Sequence, residues 1–157
     1  MKLYEYENQL KSEVENYTLS EEQLKYTTTP RECIKLSEED LDRHSILAIE
    51  DNQLVTFFVL HENEGVKPYS ENAKAILLRA FSTNYNHQGK GYATKSLLLL
   101  PEFVRTTFTQ SNEIILAVNV ENIAAQSLYK KCGFIDNGVR QEGKKGQLII
   151  MSFYLQD

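Results

Sequence analysis

The sequence predicts a mixed α/β domain: a central, mostly antiparallel β-sheet with one βαβ crossover and helices on both faces. Three observations carry that reading. Two short β-rich runs, 45–50 and 54–60, flank the turn-forming Asp51-Asn52-Gln53 and read as an antiparallel hairpin. A strand at 74–82, a helix from Gly91 and a strand at 113–118 form a strand–helix–strand unit, which requires parallel pairing across the crossover. A helix at 122–132, stopped by Gly133, leads to a last strand at 147–155.

The first forty-odd residues read as helical and polar, with isolated apolar positions. Ser20-Glu21-Glu22-Gln23 has capping-box spacing, a hydroxyl at the N-cap and an amide side chain three residues on. Pro30, after Thr27-Thr28-Thr29, is placed to start a short helix. Ser37-Glu38-Glu39-Asp40 reads as a further turn or helix start. Residues 61–73 are loop-like, punctuated by Gly65 and Pro68. Beyond Gly91, Tyr92, Ala93, Leu97, Leu100 and Val104 recur at helical spacing, and Pro101 inside that pattern is expected to kink or end the helix.

A chain of 157 residues fits one domain, so residues 1–157 are expected to share one core. Its net charge of −5 argues against a general nucleic-acid binder, which carries a basic excess. It does not exclude an anionic cofactor, because local backbone amides outweigh a distant negative surface. Cys33 and Cys132 lack neighbours at metal-ligand spacing and read as free buried thiols, so no metal is expected. The polar, acidic start resembles no leader peptide and the longest apolar clusters are too short to span a bilayer; the default is cytoplasmic, without a membrane partner.

The most informative segment is Gln88-Gly89-Lys90-Gly91-Tyr92-Ala93, between a strand and a helix. A helix N-terminus offers unpaired amides and the positive end of its dipole, and glycines let that backbone approach an anion. The pattern suits a pyrophosphate, and a plain tight turn also accounts for it. It fits neither a Walker loop nor a dinucleotide fingerprint, whose third glycine would fall at Thr94.

The segment resembles motif A of the GNAT (Gcn5-related) N-acetyltransferase superfamily, Gln/Arg-x-x-Gly-x-Gly/Ala, matched at Gln88, Gly91 and Ala93. The stretch from Asn122 to Phe134 looks like motif B, Asn-x-x-Ala-x-x-Leu-Tyr-x-x-x-Gly-Phe, through Ala125, Leu128, Tyr129 and Gly133. The resemblance covers about residues 45–155, implying an acyl-CoA-binding core there and a variable helical part at 1–44.

The resemblance implies a transferase using acetyl-CoA as cosubstrate. The strand ending at Phe81-Ser82-Thr83 would splay from its neighbour and pair with the pantetheine arm. The amides of Gln88, Gly89, Lys90, Gly91, Tyr92 and Ala93 would hold the pyrophosphate. Asn122 would bond the pantetheine chain, Ala125 would leave room beside it, and Tyr129 would protonate or stabilise the leaving thiolate. Each residue also has a plainer reading: Tyr129 as a half-buried helix aromatic, Asn122 as an N-cap, Lys90 as a solvated loop tip, His87 as an exposed loop histidine.

Some relatives carry a glutamate eleven positions before the Gln/Arg of motif A; here that position is Leu77. The general base is therefore unassigned, with His61 and Glu71 near the preceding loop as candidates. Arg79, two residues on, is expected on the Leu77 face with Phe81 next along it. It reads as one half of a structural ion pair or as the site of an acceptor carboxylate.

The leading expectation is an N-acetyltransferase acting by direct attack of a primary amine, small-molecule or peptide, on the thioester. The alternatives are a non-catalytic CoA-binding or regulatory module of the same fold and an unrelated nucleotide-binding protein. The last strand (Leu148, Ile150, Ser152) and the helix faces offer a homodimer contact.

Overall fold

Asp51 and Asn52 both adopt positive φ, 50° and 64°. Short polar side chains tolerate that left-handed backbone, and two such residues in succession make the tight primed turn that matches strand twist. The turn joins β2 (Arg43–Glu50) to β3 (Gln53–His61). In the computed structural model, which describes residues 1–155, this hairpin extends into a seven-stranded sheet of order β1-β2-β3-β4-β5-β7-β6. β4 (Ala75–Thr83) is antiparallel to β3 and parallel to β5 (Glu113–Asn119), the crossover being α4 (Tyr92–Thr107). α5 (Ile123–Lys131) then leads to the hairpin of β6 (Ile135–Gly143) and β7 (Gly146–Tyr154).

Two strands are absent from the sequence reading, β6 and β1 (Lys2–Glu5), and they are the two edges of the sheet. Both are mostly solvent-exposed, and β6 carries a register shift around Gly138. Edge strands are held by backbone bonds on one side only and need no apolar alternation. β7 lies inside the sheet, and Ile150 and Ser152, expected to offer a dimer contact, are buried within the single chain.

Three short helices precede β2: α1 (Lys11–Glu15), α2 (Glu21–Leu24) and α3 (Pro30–Glu39). The capping box forms: Gln23 N–H donates to Ser20 Oγ at 3.2 Å and Ser20 N–H to Gln23 Oε1 at 2.8 Å. Thr29 caps α3 with Pro30 in its first turn. Ser37-Glu38-Glu39 begins nothing new, being the last turn of α3, where Ser37 Oγ donates to the Ile34 carbonyl at 2.6 Å. α4 likewise runs past Pro101 to Thr107, because Leu97, Leu100 and Val104 are buried under the sheet and hold the segment despite one missing backbone bond.

Helices cover both faces, so β3 is buried on both sides from Leu54 to His61. Phe58, Leu60, Ile76, Leu78, Ile114 and Met151 pack with α4 and α5. Phe57 and Val59, alternating with them, pack on the other face with Val14, Tyr17, Cys33 and Ile34. Both cysteines are free and buried; burial pushes the Cys33 thiol up to about 11. No helix of the described residues is long and apolar enough to cross a membrane.

The β1 edge carries a pH-sensitive tie. His44 contacts Glu5 of β1 at 3.0 Å through Nδ1 and Glu62 at 2.8 Å through Nε2. Burial opposes a charge on the ring, but the bonds to Glu5 and Glu62 outweigh it and raise the pKa. A raised folded-state value gives stabilisation that is complete below the unfolded value and lost as pH rises through the folded one. The His44 contribution to the melting temperature is therefore expected to be lost as pH rises above the ordinary histidine range, a loss that wild type shows relative to His44→Gln. A difference in melting temperature between wild type and His44→Gln that does not change across a pH series counts against this tie.

Candidate functional site

β4 and β5 part company halfway. Their parallel ladder pairs Ala75 through Leu78 with Glu113 through Leu116 and stops there. Beyond it β4 continues against β3 as far as Thr83, and β5 against β7 as far as Asn119. Residues 79–83 thus face 117–119 across an opening in the sheet. The local cause is a bulge: Ala80 has φ 54°, and Ala80 and Phe81 together oppose Phe58 of β3. The bulge also reverses the facing expected along β4. Arg79 shares the α3 face with Leu77, whereas Phe81 turns to the α4–α5 face, stacked on Phe58 at 5.8 Å.

The end of β4 is clamped from the N-terminal region. Buried Tyr17 donates its hydroxyl hydrogen to the Ser82 carbonyl at 2.7 Å and lies 2.8 Å from Ser82 Oγ. Gln23 Nε2 donates to the Thr83 carbonyl at 2.7 Å. Buried Asn84 donates to the Leu54 carbonyl at 3.1 Å and accepts from Thr18 N–H at 3.3 Å. These clamp residues went unread in the sequence, where only the capping-box position of Gln23 drew notice.

Beyond the clamp a short 3₁₀ turn (Tyr85–His87) leads into the glycine segment. Gly89 and Gly91 have φ 79° and 81°, and a β-carbon on either would meet no atom within 4 Å. The glycines serve backbone angle there, and the space beside them is open. Gly91 is the N-cap of α4 with no side-chain cap, and the first turn holds no acidic residue. The amides of Tyr92, Ala93 and Thr94 thus keep the positive end of the helix dipole free for an external anion. A concavity of about 220 Å³ lies there, lined by Thr83, His87, Gln88, Gly89, Gly91, Tyr92, Ala93 and Thr94. Lys90 is exposed beside it. His87 is not the exposed histidine expected: it is half-buried, edge-on to Tyr92 at 6.1 Å.

Asn122 caps α5, its Oδ1 accepting from Ala125 N–H at 3.3 Å. Gln126, unremarked in the sequence, ties α5 to the end of β5 by donating to the Asn119 and Val120 carbonyls. One turn further, Tyr129 meets Phe81 edge-on at 6.1 Å and Phe134 at 5.9 Å. Burial pushes its phenol pKa up, so the hydroxyl keeps its proton. That places a proton donor on the α4–α5 face, beside Phe81, the second residue of the bulge.

On the opposite face Arg79 Nη1 donates to His61 Nδ1 at 3.2 Å, so the His61 proton sits on Nε2, which donates to Asp40 at 3.2 Å. Burial, with Arg43 and Arg79 nearby, lowers the His61 pKa. Both its nitrogens are engaged, leaving no lone pair to accept a substrate proton. Glu71 is exposed on the loop, lining a separate concavity of about 450 Å³ with Asn63, Glu64 and Lys67. Among the described residues no carboxylate lies within 4.0 Å of Arg79.

The profile of the acetyltransferase (GNAT) family matches residues 4–134. The chain is 40% identical over 144 residues to the uncharacterized N-acetyltransferase YbbJ of Bacillus subtilis (strain 168), covering 91% of this chain and 90% of that one. Among solved structures, the spermidine N-acetyltransferase of Vibrio cholerae with CoA and spermine shares the fold at TM-score 0.73 and 19% identity, over 98% of this chain and 95% of that one. AAC(6')-Ib with acetyl-CoA shares it at TM-score 0.77 and 13% identity, over 97% and 92%. The family match, the sequence relative and the split sheet agree: this chain belongs to the acetyltransferase (GNAT) family and is an acetyl-CoA-dependent acetyltransferase.

Proposed function

We propose that the enzyme transfers the acetyl group to a primary amine by direct attack, with the opening between β4 and β5 as the reaction site. The observation that carries this is the opening itself, with the free first-turn amides of α4 beyond one rim and the protonated Tyr129 beside the bulge. The amides from Gln88 to Ala93, Lys90 included, hold the pyrophosphate, while the β4 edge at Phe81, Ser82 and Thr83 presents backbone groups to the pantetheine arm. Asn122, its Oδ1 spent on the cap, offers its side-chain N–H₂, and Ala125 leaves room beside it. Acetyl-CoA supplies an activated thioester. The amine nitrogen forms a C–N bond as the C–S bond breaks, and Tyr129 stabilises and then protonates the departing sulfur. The nitrogen sheds its proton to solvent, which returns one to Tyr129, so amide and free thiol are the products. Amine acceptors fit the likeness to a spermidine N-acetyltransferase.

The test is a melt with acetyl-CoA, CoA, ATP and NAD. Ligand at about 100 times its Kd adds about 2.7 kcal/mol, or roughly 5–11 °C for a chain of this size. A rise with the two CoA ligands alone is the expected result. No rise with either removes the cradle assignment.

A further inference from the structure

Arg79 is the first residue of β4 past the parallel ladder and the last before the bulge, so its backbone stands at the mouth of the opening while its guanidinium reaches back to His61, which pairs with Leu77. Its side chain lies on the face opposite Phe81 and Tyr129. A guanidinium withdrawn from water normally acquires a carboxylate partner. Arg79 is half-buried, yet only Nη1 is engaged, and by an uncharged imidazole nitrogen. The remaining donors of its planar fork are free for a bidentate acceptor.

The surroundings deepen the deficit of negative charge. Arg43 is close enough to depress the Arg79 pKa further, after burial. Asp40 is committed to His61 at 3.2 Å and to Arg43 at 3.7 Å. Two guanidiniums against one carboxylate leave one positive charge in excess, on a protein whose overall charge is −5. A polycationic acceptor entering on this face would bring like charge against Arg79 and Arg43.

We propose that the acceptor is a small molecule bearing both a primary amine and a carboxylate, whose carboxylate Arg79 grips while its amine reaches the opening past the bulge. The inference rests on the amine acetylation proposed above. An amino acid is the simplest member of the class. The side chain acts as a binding residue for the acceptor, leaving the bond changes at nitrogen and sulfur as already written.

The experiment compares amino acids with their carboxamides and decarboxylated amines, for instance lysine against lysinamide and cadaverine, with spermidine as the cationic control. Thiol release gives kcat/KM for each. The carboxylate-bearing member of each pair is expected to be better by about tenfold or more, chiefly in KM, and Arg79→Gln to erase that advantage. Gln still offers an N–H to His61, which limits the damage to folding. A second measurement needs no chemistry: melts of the CoA-saturated protein with each compound, where only carboxylate-bearing amines should stabilise, and only with Arg79 present. Equal or better handling of the carboxamides and diamines overturns the proposal, as does equal loss on both classes in Arg79→Gln. Absence of stabilisation by CoA itself would instead sink the acetyl-transfer reading, so the two failures are distinguishable.

Discussion

Tyr129→Phe is expected to lower kcat by about a hundredfold or more while leaving acetyl-CoA affinity nearly unchanged. Removing one positioned donor from developing negative charge costs about 10²–10³ in rate, and loss of a general acid about 10²–10⁴. The ring makes its contacts with Phe81 and Phe134 through carbon, so phenylalanine preserves them. Burial raises the phenol pKa, which keeps the donor charged with its proton but also makes it a reluctant acid. In the proposed mechanism most of the benefit therefore comes from hydrogen bonding to sulfur as charge builds, with full proton transfer late. Steady-state kinetics and a CoA binding isotherm on the same preparations separate the two effects. Unchanged kcat would assign the proton elsewhere.

Phe58→Ala is expected to cost about 3–5 kcal/mol of stability, because a fully buried aromatic leaves a cavity that a sheet collapses poorly. For a chain of this length that is roughly 6–20 °C in melting temperature. Phe58 also lies opposite the two residues of the bulge and stacks on Phe81. Its loss should weaken CoA binding at temperatures where the variant is still folded, since Phe81 no longer has a floor. Calorimetry and a CoA titration at about 15 °C read both effects. A loss below about 1 kcal/mol would show that Phe58 does not hold this part of the core.

Much of the fold was legible because the deciding signals are local. Two residues able to take positive φ mark the β2–β3 turn, a hydroxyl and an amide three apart mark the start of α2, and two short motifs mark the first turns of α4 and α5. The edge strands were not legible, since β1 and β6 are mostly exposed and lack the alternation of apolar and polar residues that marks a half-buried strand. Nor was the bulge, because nothing about an alanine announces a left-handed residue; Ala80 is held there by its neighbours. That one residue decides which face Phe81 serves and hence which groups meet at the opening. The clamp bonds of Tyr17, Gln23 and Asn84 were invisible for another reason: they reach across 65, 60 and 30 positions and leave no local pattern.

The clamp they form makes two parts of the molecule thermodynamically inseparable. The last residues of β4 are fastened to positions 17, 18 and 23 through backbone carbonyls and a buried amide. A ligand that orders residues 17–24 therefore raises the affinity of whatever pairs with the end of β4, and linkage requires the same factor in the other direction. A substitution at Tyr17 or Gln23 is then expected to shift both the stability of this segment and the affinity of any ligand that pairs with the end of β4.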